Sequence, residues 1–235
     1  MENTELKNDI VLEMAQAGVL FGHKKSKTHP RMKQFIGANR NEIEIMEPEV
    51  TLNGLSEAGK FLAGVLRAGG MVLAVGTTPA SAGAVEEFGM AFKQPFVNSR
   101  WLGGTLTNFK VISERMKYYL DLKAKKERGE LGKYPKKEQQ EFGVQIGKMG
   151  RVFDGMINMT RLPQVVLVVD TVEHETAVRE AKRLKIPVVA IMDTNDNPDN
   201  ATYMVCGNDH SRESVDWLMK KLSEEIKNEN PIKND

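Results

Sequence analysis

Two short stretches constrain this chain more than any other feature: VVLVVD at 165–170 and PVVAIMD at 187–193. Each is a continuous apolar run, rich in Val and Ile and too short for a buried helix, so each reads as a strand. A strand that is apolar on both faces must be covered on both faces. Between them, EHETAVREAKRLK sets Ala177, Ala181 and Leu184 on one side and reads as a helix. The same beat occurs earlier. MVLAVG (71–76) predicts a strand, a helix follows from about Pro79 to Ala91, and PFVN (95–98) is another brief strand. Near the end, YMVCG predicts a strand and ESVDWLMKKLSEEI a closing helix. Strands alternating with helices predict an α/β domain, a parallel sheet between two helical layers joined by right-handed crossovers.

The region before the sheet is different. TELKNDIVLEMAQA (4–17) places Leu6, Ile10, Leu12 and Met14 at near-helical spacing, and Gly18 stops them. FIGANRNEIEIM reads as two short strands around a polar turn, with Ile43 and Ile45 alternating with Glu42 and Glu44. Pro48 to Arg67 reads as a helix, with Pro in its first turn and Gly69-Gly70 past its end.

Residues 105–158 break the alternation, because PFVN and VVLVVD lie too far apart for one crossover helix. Leu106, Phe109, Ile112, Met116, Tyr119 and Leu122 recur in steps of three and four, a coiled-coil-like stripe. GELGKYP turns the chain, and Phe142, Ile146, Met149, Val152 and Met156 run back. A helical hairpin inserted at 105–158 into an α/β domain formed by 1–104 and 159–228 is the simplest organisation. Residues 229–235 read as a frayed tail. Gly143, Gly147 and Gly150 each weaken the return helix by about 1 kcal/mol relative to Ala, or else let the two helices approach closely.

Net charge is +1 over 235 residues, but its placement is uneven. Residues 22–40 carry Lys24, Lys25, Lys27, Arg31, Lys33 and Arg40 and no acid. Residues 110–151 hold twelve Lys or Arg against six Asp or Glu. A solvated helix face explains the second excess as well as a polyanion does. It fits the first poorly, since no acids balance it. No run of 18 apolar residues exists, so no membrane-spanning helix is expected. The start, MENTELKNDI, lacks the apolar core of a signal peptide. A single cysteine, Cys206, leaves no disulfide framework and points to a reducing cytoplasm.

Few motifs promise catalysis. VGTTPASAGA (75–84) is a strand, a Gly and a helix start, with Thr77 or Thr78 placed to cap and Pro79 in the first turn. Exposed N–H groups there suit a phosphate. Yet neither the dinucleotide nor the P-loop fingerprint is present. His174-Glu175 has no second His four residues on, so no zinc helix is expected. DTNDNPDN (193–200) and GNDH (207–210) supply oxygens that either collect a divalent ion or serve turns and caps. Cys206 follows an apolar strand and reads as a buried thiol. His23 and His29, among the basic residues, suit phosphate or base contacts.

NSRWLGGTLTNF (98–109) joins a cation, an aromatic, two Gly and a polar run. Trp101 under Arg100 is ordinary packing, or a stacking pair for a nucleotide, with Asn98, Thr105, Thr107 and Asn108 able to hydrogen-bond sugar and phosphate.

At these residues the chain resembles a known family. LEMAQAGVLFGHKKSKTHPRMKQFI and RWLGGTLTN are similar to the two signatures of ribosomal protein S-two in its bacterial form. LPQVVLVVDTVEHETAVREAKRLKIPVVAIMDTNDNPD and the GND of 207–209 resemble its C-terminal half, so the likeness spans about residues 8–227. It implies a flavodoxin-like three-layer α/β domain with a parallel central sheet and a protruding helical hairpin. It implies a non-enzymatic, cytoplasmic protein without cofactor or metal, which binds small-subunit ribosomal RNA between head and body and joins late in assembly. Expected partners are neighbouring small-subunit proteins and ribosomal protein S-one, with no membrane and no self-association. By matching position, the RNA-binding residues are His23, Lys24, Lys25, Lys27, His29, Arg31, Lys33, Asn39 and Arg40. Asn98, Arg100, Trp101, Gly103, Gly104, Thr105, Asn108 and Lys110 complete the set. Where the family carries Lys-Arg after V-G-T, this chain has Thr78-Pro79, which removes two phosphate contacts. The rival reading is a flavodoxin-like enzyme or sensor holding a nucleotide at 75–84.

Overall fold

Five parallel strands form the centre of the structure, a computed structural model that describes residues 2–229. In chain order the helices and strands begin with α1 (Glu2–Gln16), β1 (Phe21–Lys24), β2 (Ile36–Arg40), β3 (Ile43–Met46), α2 (Pro48–Arg67) and β4 (Val72–Val75). Then come α3 (Ala82–Phe92), β5 (Phe96–Val97), α4 (Phe109–Glu127) and α5 (Lys136–Phe153). The chain closes with β6 (Val165–Val169), α6 (Glu175–Arg183), β7 (Val188–Met192), β8 (Tyr203–Cys206) and α7 (Arg212–Glu229). The main sheet runs β5-β4-β6-β7-β8, every pair parallel. Counted from β4, this is the 2-1-3-4-5 order of flavodoxin-like folds.

The apolar runs are buried on both faces, as their sequence requires. Val165, Leu167 and Val169 of β6 join a core cluster with α2, α3 and α7. Val166 and Val168 point the other way, into a second cluster with α6 and the base of α4 and α5. At about 25 cal/mol per Å² of apolar surface, this two-sided burial is the main force holding the three layers.

α4 and α5 both lie in the connection from β5 to β6. α4 buries Ile112, Met116, Tyr119 and Leu122, the stripe read from the sequence, whereas α5 fully buries only Gly150 and Phe153. Of the three return-helix glycines, only Gly150 meets the partner helix. A Cβ on Gly150 would meet the Tyr119 hydroxyl at 3.0 Å, while Gly143 and Gly147 face open space.

Local readings need correction in five places. The helix expected from Pro79 begins at Ala82, because Pro79 lies in a turn whose Thr78 carbonyl accepts the N–H groups of Ser81 and Ala82. Neither Thr77 nor Thr78 is the cap residue; Ser81 holds that position. The sequence reading places no strand before Phe35, yet β1 pairs with β3 in a three-stranded antiparallel sheet, β1-β3-β2. In β3 the inward side chains are Glu44 and Met46, and Ile43 is 38% exposed. Leu12 and Leu184, read as part of apolar stripes, are both exposed, since each lies off the face that its helix buries. The tail from 230 to 235 lies outside the described residues, and α7 continues to Glu229.

Candidate nucleic-acid interface

Both sequence motifs arrive at the carboxyl end of the parallel sheet, the end where open α/β sheets carry their sites. The 22–40 segment lies on the β7–β8 side. Its fastening is specific: the His29 N–H donates to the Thr194 carbonyl at 2.8 Å, and the His23 N–H to the Thr194 hydroxyl at 2.9 Å. A small cluster of Met32, Met46 and Cys206 seats the three-stranded sheet on this edge. From that base Lys24, Lys25, Lys27, Lys33, Asn39 and Arg40 are exposed. None of these five cations has an ion pair among the described residues. Arg31 is exposed too, but it pairs with Asp199. Of the two histidines, only His23 turns inward to a buried acid. His23 Nδ1 lies 3.0 Å from Asp193 Oδ2, and His29 Nδ1 accepts the Arg31 N–H at 3.3 Å.

The second motif leaves β5 on the opposite side. It wraps around one residue that sequence reading did not single out, Glu180 of α6. One carboxylate oxygen accepts the Trp101 indole N–H (3.1 Å) and the Gly104 N–H (2.8 Å). The other accepts the Leu106 and Thr107 N–H groups, both at 3.0 Å, and the Thr107 hydroxyl at 3.1 Å. Burial alone would raise the carboxyl's pKa; the hydrogen bonds from Thr107, Gly104, Trp101 and Leu106 outweigh it and hold the value below the ordinary one. A signal existed in the sequence. Glu180 sits three residues after Ala177 and one before Ala181, on the apolar side of its helix, where a charge needs partners.

Around that anchor the motif divides. Trp101 is half-buried against the second core cluster. Gly104 takes φ +90°, which an L side chain resists, and Gly103 is open to solvent. Thr105 is buried, donating to the Leu102 carbonyl at 2.7 Å. Asn98 is tied to Glu86 at 2.9 Å. Arg100, Asn108 and Lys110 are exposed. The loop thus presents Arg100, Asn108 and Lys110 outward and uses Trp101, Thr105 and Glu180 to hold its shape.

Between the two motifs, buried acids crowd the strand ends: Asp170, Asp193, Asp196 and Asp209. Several of their oxygens serve turns. Asp170 Oδ1 accepts the Val172 and Glu173 N–H groups at 2.9 Å, and Asp196 Oδ2 the Asp193 N–H at 2.9 Å. Burial pushes the Asp209 carboxyl up, and the hydrogen bond to Asp209 pushes the His210 imidazole up to about 9. Ligand atoms of His23, Asp193 and His210 fall within 4.8 Å of one another, as do those of Asp170, Asp209 and His210, so these are the residues able to hold a divalent ion. Cys206 is buried, its thiol pushed up to about 12 by burial and then by the charges of Asp193 and Asp196, which makes it an inert packing residue.

The 75–84 loop is closed by its own neighbours. His174 Nδ1 lies 2.9 Å from the Asp170 carbonyl, and its Nε2 accepts the Thr77 N–H at 2.9 Å. Thr78 and Ser81 hydroxyls pair at 2.7 Å. The Thr77 N–H that a phosphate would use is therefore already taken.

Comparison with known proteins agrees with this geometry. Residues 14–228 match the family described as Ribosomal protein S2. The small ribosomal subunit protein uS2 of Rhodopirellula baltica is 40% identical over 221 residues, covering 94% of this chain and 85% of that protein. That of Dehalococcoides mccartyi is 38% identical over 216 residues (92% and 88%), and that of Dictyoglomus turgidum 37% over 217 residues (92% and 88%). A family match over nearly the whole chain, two exposed basic motifs at one end of a 2-1-3-4-5 sheet, and relatives of near-equal length converge on one assignment: the chain belongs to the ribosomal protein S2 family.

Proposed function

We propose that this protein is held in the small ribosomal subunit by direct contact with its ribosomal RNA. The coarser role follows from the family: a structural, non-enzymatic constituent of the small subunit of the cytoplasmic ribosome. The observation that carries the finer reading is the exposure of Lys24, Lys25, Lys27, Lys33 and Arg40 on one segment anchored to the sheet through Thr194. Lysines without carboxylate partners gain most from neutralising phosphates, since counterion release adds to each contact. The loop held by Glu180 supplies a second contact through Arg100, Asn108 and Lys110. Seating between head and body, joining late in assembly and helping dock ribosomal protein S-one complete the proposal, with the helical insertion as a prop against neighbours.

Sedimentation of tagged protein from lysate at low and high salt, with sequencing of the co-purified RNA, tests it. Co-migration with small subunits is expected. A slow-sedimenting free protein, with no enrichment of small-subunit RNA, overturns it. The alternative of a nucleotide in the 75–84 loop is weaker, because His174 occupies the Thr77 N–H.

A further inference from the structure

A cavity of about 490 Å³ lies between α6 and the loop that follows β7, within the range that accommodates a small ligand. Its chemistry is mixed. Asn195 and Asn197 bring side-chain amides to the wall, groups that hydrogen-bond a polar occupant. Arg179 is exposed on the wall and has no ion pair among the described residues, and Lys182 beside it reaches the Asn200 side-chain oxygen at 2.8 Å. These two cations call for an anion. Val172, 56% exposed, provides an apolar shelf, and Glu175 on the rim accepts a further donor while repelling a free polyphosphate.

An occupant must therefore carry an anion, hydrogen-bonding groups and an apolar face on one compact body. A nucleotide within an RNA strand meets all three requirements. The position favours RNA. Asn195 follows Thr194, the residue to which His23 and His29 of the basic segment are fastened, and His29 itself lines the cavity. A backbone lying along Lys24–Lys33 leads directly to this opening.

We propose that the cavity receives a single unpaired nucleotide of the ribosomal RNA, swung out of its stack. Its phosphate rests on Arg179 and Lys182, its base lies against Val172, and a polar group on its base edge or ribose meets the Asn195 amide. The inference rests on the RNA-binding reading above.

Base-specific chemical probing of small-subunit RNA with the full-length protein tests it, with Asn195→Leu and the double variant Arg179→Ala/Lys182→Ala compared with wild type. Wild type is expected to protect one unpaired nucleotide. Both variants should lose that protection and bind about tenfold more weakly, while the backbone footprint of the Lys24–Lys33 segment persists. The double variant changes only exposed side chains, so it keeps the test sound if Asn195→Leu unfolds. Unchanged protection and affinity in the double variant overturns the pocket but leaves the basic segment standing. Wild-type protein that binds RNA with no single protected base also overturns it. Wild-type protein that does not bind the RNA at all overturns both readings. Mononucleotides (AMP, CMP, GMP) at millimolar concentration should not displace the RNA; displacement would mean a free nucleotide is the ligand and would overturn the RNA assignment.

Discussion

The Trp101 indole N–H donates to the Glu180 carboxylate at 3.1 Å across 79 positions of sequence. That bond and four others make one acid of α6 the fixed point of a loop that leaves the opposite edge of the sheet. Fixing the loop from a distant helix means Arg100, Asn108 and Lys110 are displayed from a rigid base, which reduces the ordering cost of binding.

Replacing Glu180 with Ala should cost about 3 kcal/mol in chemical denaturation, since hydrogen bonds to a charged group are each worth about 1.5–3 kcal/mol and the donors left behind are partly buried. Glu180→Gln should cost less, because one oxygen remains to accept. A loss below 1 kcal/mol for Glu180→Ala would show that water replaces the carboxylate.

Glu180 also gives stability a pH dependence. Its carboxyl is lowered from the ordinary 4.5 in the folded state, so its contribution is fully present above that value. It is lost as pH falls below 4.5 through the folded value. Wild type should therefore lose stability more steeply than Glu180→Gln on acidification below pH 4.5, measured as denaturation midpoint against pH; identical slopes would count against the hydrogen-bonded carboxylate.

Gly104 at φ +90° permits the turn that brings the loop onto Glu180. Gly104→Ala adds a Cβ 3.2 Å from that of Asn108 in a backbone conformation L residues avoid. The expected loss is about 1–3 kcal/mol, with weaker RNA binding from a displaced Asn108. Gly103→Ala, which meets nothing, is the matched control and should be near neutral.

Lys24, Lys25 and Lys27 changed together to Ala should weaken RNA affinity and reduce the slope of log affinity against log salt by about 2–3, near the number of phosphate contacts removed. Filter binding across a salt series checks it. An unchanged slope would place the RNA elsewhere on the protein.

At the base of the insertion, the Tyr119 hydroxyl donates to Asp154 at 2.6 Å. Burial, then this bond, raises its pKa to about 12. Alkaline spectrophotometric titration should show a tyrosine ionising near pH 12. The stability it contributes is present below pH 10 and is lost as pH rises towards 12. Tyr119→Phe should cost about 1 kcal/mol and abolish the late step.

The sequence by itself determined the layers, because Val, Ile and Leu runs such as 165–169 and 188–192 cannot be solvated on either face. It also located α2 from Pro48 to Arg67 and the basic segment, each legible through local spacing or charge. Tertiary structure decided what those signals leave open. Local pattern does not reveal that His23 turns inward to Asp193, that His29 accepts the neighbouring Arg31 N–H, that Asn98 serves Glu86, or that α3 starts three residues late. It does not reveal that Glu180 holds a loop more than seventy positions away. Burial is written into residue type and period, because it depends on each side chain's own transfer free energy. The partner of a polar group is a fact of three-dimensional neighbours, and only the packed chain supplies it.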